Sequence, residues 1–261
     1  MSFLATRLDF GSSLRDHPQQ ASAVGEILTR PCFAALGRLS ARRGDRWSKH
    51  ATPTAATIAA YLQAPEYDAA CFDTPRPGEP EASAEIENGL RNHDREPLSI
   101  RFFAQLVVPL TDSWRDVVQG VLDLARVIEV GAGMISPEPT YGLARRFALG
   151  GSAPKHRSGL SEHRMRERRA RDWKHADTSA KLAGVEWGTF LNAKHLEVVD
   201  VDALRASSAF ARVEQLGAGL VYVQVTDDPL DDLRGGIEAK LEAARRTLAP
   251  MMVDISDVPV N

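Results

Sequence analysis

Two charged segments carry the side chains best suited to bind a partner. The run Asp227-Asp228-Pro229-Leu230-Asp231-Asp232 places four carboxylates within six residues, between a predicted strand and a predicted helix. Carboxylates are favoured at a helix N-terminus, so a purely structural role is a strong alternative. Such a cluster could also bind a metal or a basic protein surface. The candidate partner-binding residues are therefore Asp227, Asp228, Asp231 and Asp232.

The second charged segment, residues 155–174, is basic. Only Glu162, Glu167 and Asp172 oppose its cationic side chains, which are Lys155, Arg157, Arg164, Arg166, Arg168, Arg169, Arg171 and Lys174. Nucleic-acid contact is one interpretation, because basic clusters bind phosphates. However, Trp173 is its one aromatic residue, and the chain as a whole is slightly acidic. We therefore expect a solvated loop, mobile or facing a protein, rather than a nucleic-acid-binding element.

Catalytic and cofactor motifs are missing from the sequence. Gly131-Ala132-Gly133 lacks the third glycine of a dinucleotide fingerprint and is expected to end a helix. Gly151-Ser152-Ala153-Pro154 lacks the final glycine of a nucleophile elbow. His175 could act as a general base oriented by the carboxylate of Asp177. No histidines have the sequence spacing of metal ligands. Cys32 and Cys71 lie in mainly apolar surroundings, which predicts inert thiols. We predict no catalytic residue, no metal and no cofactor.

Length and composition indicate an ordinary globular protein. The 261 residues are 43% hydrophobic and 26% charged, with a formal net charge of −3. Such a charge creates no global attraction to nucleic acid or to an anionic membrane. The first ten residues lack the pattern of a signal peptide, and no apolar run approaches the ~20 residues that span a bilayer. These features predict a cytoplasmic protein that binds no membrane.

The charged segments must be positioned by a framework of strands and helices. The clearest unit is an apolar strand over Ile100–Val108, then capping residues at 111–113, then a helix with one apolar face from Trp114 to Ile128. A hairpin is predicted by two strands, Arg212–Leu216 and Leu220–Thr226, around Gly217-Ala218-Gly219. Other predicted elements are strands at 3–10 and 68–73, helices around Val24–Leu28, Phe33–Leu39, Ile58–Leu62, Val201–Ala209 and Ile237–Leu248, and a loop over 74–97.

This mixture of a hairpin with strand–helix units predicts an α+β fold. We expect a mostly antiparallel sheet with amphipathic helices packed on one face of it. No linker is long enough to force a domain boundary, so residues 1–252 are expected to form a single domain. Residues 253–261 are expected to form a loose C-terminal tail.

An apolar run between polar segments carries a family resemblance. Gly184-Val185-Glu186-Trp187-Gly188-Thr189-Phe190-Leu191 is followed by a polar residue, a short helix and the predicted hairpin. This order resembles the type VI secretion immunity proteins, bacterial proteins that neutralise toxins. Its signature residues here are Gly184, Trp187, Thr189, Phe190 and Leu191. The resemblance is specific over about 184–226 and extends in architecture over roughly 65–250.

The resemblance implies an immunity protein whose partner is a cognate toxin, often a nuclease, encoded by the adjacent gene. It carries no catalytic residue onto this chain. The oligomeric state stays open. Two alternatives also stay open, namely an enzyme whose site is assembled from scattered residues and a nucleic-acid-binding protein that uses residues 155–174.

Overall fold

The computed structural model describes residues 1–74, 81–90, 101–149, 161–172 and 181–256. Ten strands of these residues form one sheet. The strands are β1 (Phe3–Phe10), β2 (Arg38–Arg43), β3 (Arg46–Trp47), β4 (Ala69–Asp73), β5 (Ser83–Leu90), β6 (Arg101–Pro109), β7 (Val130–Glu138), β8 (Gly188–Asn192), β9 (Arg212–Gly217) and β10 (Leu220–Gln224).

Helices connect and cover these strands. They are α1 (Pro18–Leu28), α2 (Ala55–Gln63), α3 (Trp114–Val127), α4 (Tyr141–Leu149), α5 (Glu162–Asp172), α6 (Ala193–Leu196), α7 (Val201–Ala206), α8 (Leu230–Leu233) and α9 (Glu238–Leu248). Within the described ranges, no helix is both long and apolar enough to cross a bilayer.

The strand order is β3-β2-β4-β5-β6-β1-β7-β8-β10-β9, and every paired strand is antiparallel to its neighbour. The N-terminal strand β1 therefore lies in the middle, between β6 and β7. Leu4 faces Val108 of β6 on one side and Pro137 of β7 on the other. The predicted α+β class with a mostly antiparallel sheet is confirmed.

Helices cover both faces of the sheet, which corrects the expectation of one covered face. Along β1, Leu4 and Leu8 belong to the large core that includes Val24 of α1 and Val121 of α3. Phe3 and Ala5 alternate with them and belong to a second cluster with Phe147 of α4. Successive side chains of a strand point to opposite faces, so α4 packs opposite α1 and α3.

The strand–helix unit of β6 and α3 is confirmed, but the role of the following glycines is not. Helix α3 ends at Val127, and the residue with positive φ that follows it is Glu129 (φ 51°), not a glycine. Gly131 and Gly133 lie within β7 instead. A Cβ at Gly133 would come within 2.8 Å of the Leu8 side chain and 3.0 Å of Phe190. Close packing, rather than a helix stop, explains this glycine.

Two further predictions were wrong because they overlooked the alternation of apolar and polar residues that is typical of a strand. The Phe33–Leu39 stretch is not a continued helix, since β2 begins at Arg38 and places the apolar Leu39 and Ala41 on one face, with the polar Ser40 between them on the other. The predicted 74–97 loop contains β5. Its Ala84 and Ile86 are buried in the core between the acidic residues of the same strand.

The C-terminal third follows the prediction closely. The β9–β10 hairpin, the helix α7 and the last helix α9 form as expected, and Pro250 lies just beyond α9. The first residues of the predicted loose tail are held, however. The backbone N–H of Val253 donates to the Leu182 carbonyl at 2.8 Å, and Ile255 is buried beside Ala170 and Ala183. Residues 257–261 lie outside the described residues.

Candidate functional site

The acidic run follows β10 and leads into the short helix α8. Hydrogen bonds fix this turn. The Thr226 hydroxyl donates to the Asp228 carbonyl at 2.9 Å. The Asp228 carboxylate in turn accepts the backbone N–H of Leu230 at 2.9 Å. The carboxylates are thus presented from a turn that is held on both sides, as a preorganised binding surface requires.

The four predicted partner-binding aspartates differ in how far solvent reaches them. Asp227 is exposed, whereas Asp228 and Asp231 are half-buried. Asp231 lies 4.0 Å from the exposed guanidinium of Arg234, a weak surface pair. The Asp232 side chain is only 5% exposed, and both its oxygens accept from Arg164 at 2.6 Å. Partner binding by these residues stays a prediction, and Asp227, Asp228 and Asp231 are the accessible members.

The basic segment is not the loop that its composition predicted. Its described part, 161–172, contains α5, and two of its arginines point inward. Arg164 and Arg168 lie one helical turn apart, with side chains 3% and 6% exposed. Arg166, on another side of the helix, pairs with Glu162 at 2.8 Å. The cationic run is therefore partly an internal structure, because the two inward arginines neutralise buried acids. Residues 155–160, 173 and 174 lie outside the described residues.

Glu186 is the carboxylate on which the two inward arginines converge. It accepts from Arg164 Nη2 at 2.6 Å and from Arg168 Nε at 2.5 Å. Arg168 also donates to Glu138 at 2.9 Å. We call these three acids and two arginines, namely Glu138, Arg164, Arg168, Glu186 and Asp232, the arginine network. Burial alone would raise the pKa of Glu186, but the two guanidiniums outweigh it and hold that pKa well below its ordinary value.

A second buried ion pair ties α5 to α9. Both oxygens of Glu167 accept from Arg245, at 2.9 and 2.7 Å. Burial raises the pKa of Glu167, and Arg245 opposes that rise. Gly184 packs against the same acid, since a Cβ there would lie 2.6 Å from the Glu167 Cβ. The glycine of the signature run thus permits the close approach of α5.

The other signature residues lie in the core, as predicted. Trp187 and Phe190 are 0% exposed, which confirms that both are core residues. The Trp187 indole N–H donates to the Thr226 hydroxyl at 3.0 Å. Thr189 accepts the backbone N–H of Glu186 at 3.3 Å, and Leu191 is fully buried. Through Thr226, the signature run also supports the turn that carries the acidic residues.

Three segments that are separate in the sequence therefore meet at one place. Glu186 of the signature run binds Arg164 of the basic segment, which also binds Asp232 of the acidic run. Sequence reasoning missed this contact. One signal was available: Glu186 is a charged residue inside a buried apolar run, and such a residue needs a buried counter-ion.

The two cysteines and the metal-ligating residue types are the remaining candidates for reactive chemistry in the described ranges. Burial raises the pKa of the Cys32 thiol, and burial beside Glu85 raises that of Cys71. Both shifts favour the unreactive thiol, although the neighbours of Cys71 are polar rather than apolar as expected. The described part of the chain contains no group of three histidine, cysteine or acidic residues able to hold a metal ion. His156, His175 and Asp177 lie outside it.

Comparison with known proteins shows that this fold is similar to that of a secretion protein. No family model matches the sequence, and no curated protein matches it. Among solved structures, the chain is similar to the Pseudomonas aeruginosa T6SS protein PA0821. The match has a TM-score of 0.62 and 16% sequence identity, and it covers 97% of this chain and 73% of that chain. The chain shares the fold of a type VI secretion protein.

Proposed function

We propose that this chain is an immunity protein that binds and neutralises a cognate toxin of a type VI secretion or polymorphic toxin system. The observation that carries the proposal is the fold likeness to a type VI secretion protein over 97% of this chain. The signature run, with Trp187 and Phe190 in the core, agrees with the family resemblance of the sequence.

The arginine network suits a binding scaffold. Each of its two arginines pairs with two of its three acids, and these partners hold each charged side chain in one position. A catalytic group needs a different setting, in which a nucleophile or base can reach a substrate. We infer that the network maintains the shape of the surface above it, and that the protein acts by binding rather than by catalysis.

The proposed contact surface is the accessible part of the acidic turn, formed by Asp227, Asp228 and Asp231. Nuclease toxins have basic substrate clefts, and carboxylates held in a fixed turn could fill such a cleft and speed encounter. Burial of Arg164 and Arg168 leaves fewer cations on the surface of α5, which supports a protein partner over a nucleic acid.

Co-expression with the product of the adjacent gene tests the proposal. We expect that product to arrest growth alone, and this chain to restore growth and to co-purify with the toxin at a fixed ratio. Failure of the chain to protect cells, or to bind the toxin in a pull-down, would refute an immunity function.

Charge reversal at the acidic turn tests the contact surface. Asp228→Lys with Asp231→Lys should weaken toxin binding, mainly through slower association if the pair lies at the rim of the interface. The matched control is Glu26→Lys with Glu66→Lys, which makes the same charge change at exposed positions in and near α1 and α2. Unchanged affinity in the Asp228/Asp231 variant would remove this turn from the interface.

A further inference from the structure

A polar groove crosses the face of the sheet that α4 partly covers. Its floor is a row of directly opposed residues on four neighbouring strands: Ser40 on β2, Cys71 on β4, Glu85 on β5 and Gln105 on β6. Trp47 of β3 and Arg145 of α4 also line the cavity, whose volume is about 290 Å³. We call it the acceptor groove. At ~30 Å³ per water molecule, it has room for the end of one long side chain.

The floor of the groove has more hydrogen-bond acceptors than donors to satisfy them. Gln105 is 6% exposed, and its Nε2 donates to Glu85 Oε2 at 2.8 Å. That bond fixes the amide orientation and leaves Gln105 Oε1 buried without a hydrogen-bond partner among the described residues. Glu85 Oε1 likewise makes no hydrogen bond there, although it lies 3.1 Å from Arg42 Nη2. Buried acceptors in this state favour a ligand that brings donors.

The charges behind the floor also favour a cation. Glu85 and Glu87 both bind the guanidinium of Arg42, so two carboxylates share one positive charge at a pH above the raised pKa of Glu87, about 7. Asp73, at the end of the next row, is already paired with Arg38 at 2.6 Å. Arg145 is exposed at the opposite wall, where solvent weakens its effect on the floor.

An aromatic surface completes the arrangement. Trp47 is 59% exposed, an unusual state for so large an apolar side chain. It pairs with Arg42 across the β2–β3 hairpin and therefore lies on the groove face of the sheet. A cation over an exposed indole gains a favourable interaction with the ring, and tryptophan is enriched at the energetic centres of protein interfaces.

We propose that the acceptor groove binds an arginine or lysine side chain presented by a protein partner. A small shift of the Gln105 and Glu85 side chains would expose their buried oxygens to the donors of that side chain, and its charge would lie beside Trp47. Identification of the partner as the toxin rests on the proposed function, but the chemistry of the groove does not.

Titration with a small probe tests the groove without any toxin. We expect Nα-acetyl-arginine amide to shift the NMR signals of the Trp47 indole N–H and the Gln105 side-chain amide, with a Kd on the order of millimolar. Nα-acetyl-citrulline amide, a neutral probe of nearly the same shape, should not shift them. Equal shifts with both probes, or no shift at these two groups, would overturn the proposal.

Two variants are expected to change the affinity for the arginine probe in opposite directions. Glu85→Gln should weaken binding of the arginine probe about tenfold, the loss expected for one charge-assisted hydrogen bond. Arg145→Gln should strengthen it about threefold, because a like charge is removed. Stronger binding by the Glu85→Gln variant and weaker binding by the Arg145→Gln variant would indicate an anion site and refute the proposal. Trp47→Ala, at an exposed position that does not endanger the fold, should also weaken binding, and Glu26→Gln on α1 should leave it unchanged.

The probe titration and the co-expression test can fail separately. Probe binding without toxin neutralisation would keep the groove as a cation site and remove the toxin as its partner. Toxin neutralisation without probe binding would keep the immunity function and reject the groove.

Discussion

Replacement of Arg168 by methionine tests whether the arginine network supports the fold. Arg168 donates four hydrogen bonds, to Ser136, Glu138 and both oxygens of Glu186. Methionine keeps an apolar side chain near the Phe147 ring, over which the guanidinium lies at 4.8 Å. The substitution therefore removes the charge and the donors while retaining much of the packing.

The expected cost follows from what Arg168→Met leaves behind. Glu138, whose side chain is 0% exposed, loses its ion pair to Arg168, and Glu186 keeps only the guanidinium of Arg164. Removing one partner of a buried ion pair costs about 3–5 kcal/mol, because the remaining charge stays buried with less compensation. Adding Glu138→Gln to the same variant should recover about 1–3 kcal/mol, since it removes that charge.

Urea unfolding, followed by far-ultraviolet circular dichroism and by tryptophan fluorescence, measures these free energies. The matched control is Arg166→Met on the same helix. That arginine is 31% exposed and pairs with the exposed Glu162, so the change should be within about 0.5 kcal/mol. A loss below about 1 kcal/mol for Arg168→Met, or no recovery on adding Glu138→Gln, would show that water already compensates these charges and would refute the reasoning.

Three further predictions concern the core, the pH dependence of stability and nucleic acid. Trp187→Ala should lower the free energy of unfolding by about 3–5 kcal/mol, and unchanged thermal stability would contradict a core role. Burial raises the pKa of Glu87 to about 7, opposed by Arg42. Because the folded pKa exceeds the ordinary 4.5, this group costs stability as pH rises from 4.5 through 7. Glu87→Gln should remove that loss, so between pH 4 and pH 8 the variant should gain at most about 3 kcal/mol in free energy of unfolding relative to the unsubstituted protein. The same pH dependence of urea unfolding in both proteins would speak against it. In a gel-shift assay at physiological salt, DNA binding should be no tighter than about 10⁻⁴–10⁻⁶ M, and submicromolar binding that is lost on replacing Arg166 and Arg169 would favour a nucleic-acid-binding protein.

The elements that could be predicted are those whose evidence is local. The unit of β6 and α3 was identified because the apolar strand, the capping residues and the helical spacing from Trp114 onward are contiguous in the chain. The β9–β10 hairpin was identified for the same reason. Strand β5 was missed because the neighbouring prolines and its acidic residues suggested a loop, while Ala84 and Ile86 gave a weak alternating signal.

The arginine network was out of reach for a physical reason. Arg164, Glu186 and Asp232 are separated by 22 and 46 residues, and a single sequence does not reveal which distant charges meet. Taken alone, Arg164 and Arg168 resemble surface cations, since arginine is rarely buried without a partner. The same limit applies to the acceptor groove, whose floor depends on the register of four strands.

The central position of β1 has a consequence for how the chain assembles. Phe3–Phe10 precedes both of its neighbours in the chain, and they end only at Pro109 and Glu138. During synthesis β1 can therefore pair with β6 only after Pro109 has been added, and with β7 only after Glu138. If it were trimmed away, two nine-residue strands would each expose an open edge in the middle of the protein. Such edges pair readily with other chains, so deletion of β1 should cause aggregation rather than a local loss of order.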